Sequence, residues 1–204
     1  MKVKICGIQD MASAKHAVEI GADAIGFVFA PSKRRVTEAQ AAGITKELPA
    51  SLLKIGVFVN EELEKVEQIV HTAGLDLVQL HGDEPPDYAS RLSVPTIKAF
   101  GVNGDRPIRE YFDYPADYIL LDSPKGVYRG GNGTSFDWEL LRDEEIPRER
   151  LILAGGLTIN NVHEAITLVK PGMVDVSSGV ETEGKKDFVK MQSFIENAKG
   201  AIKK

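Results

Sequence analysis

The sequence predicts an α/β fold, a single-domain (β/α)8 TIM barrel spanning residues 1–204. Short apolar runs alternate with amphipathic stretches, and the pair recurs eight times in 204 residues. The apolar runs are hydrophobic on both faces, as parallel strands covered by helices must be. No linker rich in Pro or Ser divides the chain, so the repeats belong to one closed architecture. An open doubly wound sheet is the competing arrangement. The chain is short for a barrel, which implies tight loops and no inserted domain.

In chain order, Val3–Ile5 reads as the first strand, and Met11–Ile20 as a helix ending before Gly21. Ala24–Phe29 is the second strand, followed by a helix around Thr37–Leu48. Leu53–Val59 is the third, and Glu61–Thr72 a helix stopped by Gly74. Asp76–Leu80 is the fourth, with Pro85–Leu92 behind it. Thr96–Phe100, Tyr118–Leu121, Leu151–Leu153 and Met173–Val176 complete the strands. Helical segments follow these near Arg106–Phe112, Phe136–Arg142, Ile159–Val169 and Asp187–Ala198.

Composition narrows the functional classes. The 43% hydrophobic and 27% charged content is ordinary for a globular chain. A formal net charge of -5 argues against a general nucleic-acid surface, although it leaves room for a local cationic pocket. No apolar run is long enough to span a membrane, and no signal pattern opens the chain; the expected location is the cytoplasm. Cys6 is the one cysteine, so it serves as a small hydrophobe or as a thiol. The four histidines show no metal-ligand spacing, and neither a dinucleotide fingerprint nor a P-loop is present. No metal and no cofactor are expected.

Candidate chemistry lies on the strands. Side chains two apart share a face, which pairs Lys4 with Cys6, Gln79 with His81, Lys98 with Phe100, Leu120 with Asp122, and Asp175 with Ser177. If these faces point inward, polar groups converge at the carboxyl ends of the strands, where this fold holds its active sites. Each buried polar group needs a partner or a ligand. Lys4 and Asp175, on the first and last strands, are equally suited to an internal ion pair and to substrate contact. His81 is as well suited to bonding a loop carbonyl. Asp122, after an apolar strand, has no evident structural purpose.

Glycine loops supply the second signal. Gly155 and Gly156 follow the seventh strand, and Ser177-Ser178-Gly179 follow the eighth; these are the two loops that form the usual phosphate site of the fold. Gly130-Gly131-Asn132-Gly133, after the sixth strand, suits a lid over a ligand. Arg34, in Ser32-Lys-Arg-Arg35, can offer a guanidinium to a carboxylate.

Taken in order, Lys4-Ile-Cys-Gly-Ile8, Gly21-Ala-Asp-Ala-Ile-Gly-Phe-Val-Phe29, Ser32-Lys-Arg34, Val57-Phe-Val-Asn60, Val78-Gln-Leu-His-Gly82, Ile97-Lys-Ala-Phe100, Leu120-Leu-Asp-Ser123, Phe136-Asp-Trp138, Ala154-Gly-Gly-Leu157 and Val174-Asp-Val-Ser-Ser-Gly-Val-Glu181 closely resemble the phosphoribosylanthranilate isomerase family. One departure is Asn132, where the family's glycine loop usually carries Thr or Ser. The resemblance implies a cofactor-free Amadori rearrangement, the third step from chorismate to tryptophan, on a small phosphosugar substrate, by a monomer or homodimer. It casts Asp122 as the general acid on the furanose oxygen and Cys6 as the base that removes the C2 proton. It implies that Arg34 binds the anthranilate carboxylate and that Gly155, Gly156, Ser177, Ser178 and Gly179 hold the phosphate. Gln79, His81, Gly131 and Asp175 would line or cover the pocket. A base needs a thiolate, and Lys4 or the protonated Schiff base of the substrate can favour one. The alternatives are another phosphosugar-converting barrel enzyme and a noncatalytic barrel that binds a phosphometabolite.

Overall fold

In the computed structural model, which describes residues 1–104, 106–123, 138–142 and 144–201, eight parallel strands close on themselves in chain order. They are β1 (Lys2–Cys6), β2 (Ala24–Val28), β3 (Leu53–Phe58), β4 (Leu77–Leu80), β5 (Thr96–Gly101), β6 (Tyr118–Asp122), β7 (Leu151–Leu153) and β8 (Met173–Val176). Closure is made by β1 against β8, with Lys4 directly opposite Asp175. Two apolar layers result. Ala24, Ile55, Leu77, Ile97, Leu120, Ile152 and Met173 fill the barrel floor, while Val3, Ile5, Ile25, Phe27, Val78, Ile119 and Val174 face the surrounding helices.

The helices begin where local chemistry allows. Asp10 caps α1 (Met11–Glu19) by accepting from the Ser13 N–H. Thr37 and Gln40 form a reciprocal capping box at α2 (Glu38–Thr45). Helix α3 (Leu63–Ala73) ends on Gly74 in the left-handed region, and Asp187 caps the last helix, α6 (Phe188–Gly200). Between them, α4 (Pro86–Ala89) is a single turn and α5 spans Val162–Val169. The helix expected near Arg106–Phe112 is a 3-10 segment, Ile108–Asp113. Pro115 holds the preceding Tyr114 extended and leaves no length for an α-helix. Trp138–Leu141 is likewise 3-10. The glycine loop with Gly131, and the start of the expected helix at Phe136, lie outside the described residues.

Two features differ from the sequence reading. Lys98 and Phe100 do not face the lumen: Lys98 is opposite Leu80, a residue of the outer layer, and β5 sends only Ile97 and Ala99 into the apolar interior. Because β5 is buried on both faces, its sequence has no alternation to set the phase. The second feature is a small hairpin after β8, β9 (Glu181–Thr182) against β10 (Lys185–Lys186). Its turn residues Glu183 and Gly184 both have positive φ, the geometry of a tight two-residue hairpin.

Lys98 has a structural role outside the barrel. Its Nζ donates to the Gly82 carbonyl at 2.9 Å and to Glu84 Oε2 at 2.6 Å. Glu84 also accepts from the Asn60 and Gly82 N–H groups, so the loops after β3 and β4 are tied together. Removing one partner of such a buried pair strands the other. Lys98→Met is expected to lower stability by about 3 kcal/mol, measured by urea unfolding at neutral pH; an unchanged midpoint would show that Glu84 does not depend on Lys98.

Candidate active site

Five inward side chains form one continuous path across the lumen. Lys4 is fully buried, and its Nζ donates to Asp175 Oδ2 at 3.0 Å and to Gln79 Oε1 at 2.8 Å. Between the two roles the sequence left open for Lys4 and Asp175, the structure shows the ion pair. With its oxygen held by Lys4, the Gln79 amide turns its Nε2 to His81 Nδ1 at 3.0 Å. That nitrogen must accept, so a neutral His81 carries its proton on Nε2. Nε2 in turn lies 3.8 Å from Asp122 Oδ2.

Asp122, the last residue of β6, accepts a 2.7 Å bond from the Ser123 N–H on its other oxygen. Burial nevertheless dominates: it pushes the carboxyl up from an ordinary 3.8 to about 6, with Asp175 adding to the rise and Ser123 and Lys4 opposing it. This is the apolar setting expected of a carboxylic acid that must hold a proton.

Cys6 ends β1 and is buried, 8% exposed. Burial pushes its thiol above the ordinary value; Lys4 and Lys186 pull it down, and Asp175 pushes it up. Lys4 therefore does not outweigh burial at Cys6, and Asp175 opposes it as well. Burial also works against the charge of Lys4, yet Asp175 and the Cys6 thiol leave that lysine above its ordinary value.

At the rim, Arg34 is committed to a carboxylate. Its Nε and Nη2 each donate to Glu181 at 2.7 Å, one to each oxygen, a bidentate fork. Lys186 Nζ joins the same carboxylate at 2.6 Å and the Ser177 carbonyl at 3.1 Å. Burial opposes the charge on Glu181, but the bonds from Arg34 and Lys186 hold its carboxyl below the usual range. Sequence reasoning missed Lys186 altogether and left Glu181 as part of a motif, since Glu-Thr-Glu-Gly-Lys-Lys reads as a solvated turn. The available signal was Gly184, a residue suited to the positive φ of a tight turn.

The glycine loops converge as expected. Gly155 has φ of +81°, and a Cβ there would stand 2.4 Å from the Ser123 N and 3.0 Å from Asp122 Oδ1. The loop after β7 is thus pressed against the acid. A Cβ on Gly179 would come within 1.9 Å of the Leu157 carbonyl, so the loops after β7 and β8 are in contact. Gly156 is also left-handed. Ser178 and Gly179 form a 3-10 turn, Ser178–Val180. Ser177 spends its hydroxyl on the Cys6 carbonyl, at 3.1 Å, which ties the ends of β1 and β8 together. Among the described residues no cluster of His, Cys, Asp and Glu could hold a metal ion, and no helix is long and apolar enough to cross a membrane.

Comparison with known proteins gives a consistent result. The sequence family described as N-(5'phosphoribosyl)anthranilate (PRA) isomerase matches residues 3–197. A Bacillus cereus (strain Q1) protein named N-(5'-phosphoribosyl)anthranilate isomerase is 56% identical over 205 residues, covering 100% of both chains. The crystal structure of phosphoribosyl anthranilate isomerase from Thermotoga maritima superposes with a TM-score of 0.90 at 44% identity, covering 98% of this chain and 99% of that one. Another such structure, in complex with reduced 1-(o-carboxyphenylamino)-1-deoxyribulose 5-phosphate, is 43% identical with a TM-score of 0.86 and the same coverage.

The burial of Asp122 has a measurable consequence for stability. Its folded carboxyl binds a proton more tightly than the unfolded one, so the stability it contributes is full below pH 3.8 and is lost as pH rises through about 6. Asp122→Asn keeps the acceptor for Ser123 and cannot ionise. The variant's stability relative to the parent is expected to grow from nothing near pH 4 to about 3 kcal/mol above pH 7, read by urea unfolding across that range. A difference independent of pH would contradict the raised carboxyl.

Proposed function

The chain belongs to the N-(5'-phosphoribosyl)anthranilate isomerase family, and on that premise we propose how its lumen performs the reaction. The protein is an isomerase of tryptophan biosynthesis. It converts N-(5-phosphoribosyl)anthranilate to 1-(2-carboxyphenylamino)-1-deoxyribulose 5-phosphate by an Amadori rearrangement. Asp122 protonates the furanose ring oxygen, the C1–O bond opens, and a Schiff base forms. Cys6 then takes the proton from C2, and the resulting enolamine tautomerises to the ketone. The observation that supports this most directly is the Asp122 carboxyl, raised to about 6 by burial at the carboxyl end of β6. General acids of this kind need a proton affinity near the working pH.

The remaining groups hold the substrate. The loops bearing Gly155, Gly156, Ser178 and Gly179 receive the phosphate through backbone N–H groups. The Ser177 hydroxyl does not serve there, because the Cys6 carbonyl already takes it. Arg34, fixed by Glu181 on two of its nitrogens, presents Nη1 to the anthranilate carboxylate. Asp175 Oδ1 is buried and lacks a hydrogen-bond partner among the described residues; a hydroxyl of the opened sugar satisfies it. His81 directs Nε2–H toward Asp122 and steadies the carboxylate after it gives up its proton.

The pair carries its proton in reverse before the reaction. With Cys6 raised by burial and Asp122 at about 6, the free enzyme near neutral pH holds the proton on sulfur. The reactive arrangement, acid on Asp122 and thiolate at Cys6, contains the same single proton. It is therefore a fixed fraction of the enzyme between the two titrations. The cationic Schiff base, once formed, favours the thiolate further.

Cys6→Ala and Asp122→Ala are each expected to fold and to lose at least about 100-fold in kcat, measured by steady-state turnover of phosphoribosylanthranilate. Near-normal turnover in both variants would remove the acid and base assignments. For the parent, kcat/KM corrected for ionisation of the substrate phosphate is expected to fall about tenfold per pH unit below about 6 and to stay level up to the thiol's range. A decline beginning just above pH 6 would contradict the one-proton pair.

A further inference from the structure

Lys186 is a buried cation that the reaction as described does not use. Its side chain is 3% exposed, and it reaches the site from the β9–β10 hairpin rather than from a barrel strand. The ammonium bonds the Ser177 carbonyl, while the Ser177 hydroxyl bonds the Cys6 carbonyl, so Lys186 is anchored one residue from the end of β1. Arg34 is packed beside it: a Cβ on Gly7 would lie 2.5 Å from Arg34 Cδ, directly next to Cys6 in the chain. Glu181 is shared by both cations.

The charge around Cys6 then divides into two groups. In the lumen, Lys4 is matched by Asp175, one cation to one carboxylate. At the rim, among the described residues, Arg34 and Lys186 pair with the same carboxylate, that of Glu181, so this group carries an excess of positive charge beside the thiol. We infer that Lys186 is a positioning residue for the reaction, a fixed second cation whose excess charge holds Cys6 within reach of its thiolate form in the free enzyme. This deepens the assignment of Cys6 as base and rests on it.

Electrostatics agrees with the geometry. Among the described residues, Lys4 from β1, Asp175 from β8 and Lys186 from β10 act on the Cys6 thiol, and Arg34 interacts with the thiol in turn. Burial lowers the proton affinity of Lys186, and Glu181 works against that loss. Lys186 thus stays below its ordinary proton affinity, with Arg34 adding to the loss and Glu181 opposing it.

Because Cys6 is the only cysteine, alkylation by iodoacetamide reads this one thiol. Its rate follows the thiolate fraction below the thiol's titration. The folded parent, Lys186→Met, Lys186→Gln and Lys186→Arg are compared from pH 7 to 10. Lys186→Met is expected to displace the rate–pH line upward by about one unit, so that alkylation is about tenfold slower at a given pH. Lys186→Gln, which can still donate to Ser177 and Glu181, gives the same displacement even if the Met variant folds poorly. Lys186→Arg restores the rate to within about twofold of the parent. The basic limb of kcat/KM moves with the alkylation line. A line unmoved by Met and Gln, or moved equally by Arg, overturns the inference. The Cys6→Ala assay separates the two readings. An inactive Cys6→Ala with an unmoved alkylation line removes Lys186 and leaves the base in place. An active Cys6→Ala removes the base, and with it the role given to Lys186, whatever the alkylation shows.

Discussion

A fully buried ammonium in the barrel lumen, that of Lys4, sets the arrangement of everything polar around it. An isolated charge at such a site would cost several kcal/mol, so its partners are not optional. Asp175 supplies the counter-charge from the strand that closes the barrel, and Gln79 supplies a second acceptor from β4. Once Lys4 takes the amide oxygen, Gln79 has only donors left for His81, and the imidazole tautomer follows. One buried charge therefore determines which histidine nitrogen faces the carboxyl of Asp122. The same ion pair crosses the β1–β8 seam, so closure of the sheet and orientation of the site depend on one contact.

The acid and the base are tuned by different means. Asp122 is raised chiefly by lost solvation, on a strand whose other inward residues are Tyr118 and the floor residue Leu120. Cys6 is buried as well, but charge of both signs surrounds it. A neutral lumen pair and an unbalanced rim cluster act on it together. Lost solvation moves both groups toward their protonated forms, which suits a donor and hinders a base. An excess of cation at the rim opposes that hindrance at Cys6, whereas the charges that act on the Asp122 carboxyl are those of the lumen pair, Asp175 and Lys4.

The barrel, its strand boundaries and most inward positions were legible in the sequence because polar residues interrupt otherwise apolar strands. Lys4, Cys6, Gln79, His81, Asp122 and Asp175 all occupy the lumen-facing phase. Lys98 was misplaced for an instructive reason: a lysine on β5 also interrupts an apolar run, and nothing local shows that its partner is Glu84 outside the barrel. The 3-10 segments after β5 and β6 were read as helices because their apolar spacing is helical; Pro107 and Pro115 limit the first of them to two turns. Glu181 and Lys186 were hidden by composition. A short charged stretch looks solvated unless one knows that it folds back over the end of β1.

The hairpin explains why the rim cluster can be strong without being rigidly built into the sheet. Its two strands have only two residues each, too little for stability on their own. What holds it is the cluster itself, through Lys186 to Ser177 and Glu181, together with Lys190 donating to the Glu181 carbonyl and Thr182 to the capping residue Asp187. The bonds that place two cations at Cys6 are thus the bonds that fold the segment carrying one of them. Local structure and site electrostatics share the same contacts, and a change to Glu181 must disturb both at once. A change of charge at Lys186 that preserves its donors disturbs only the second.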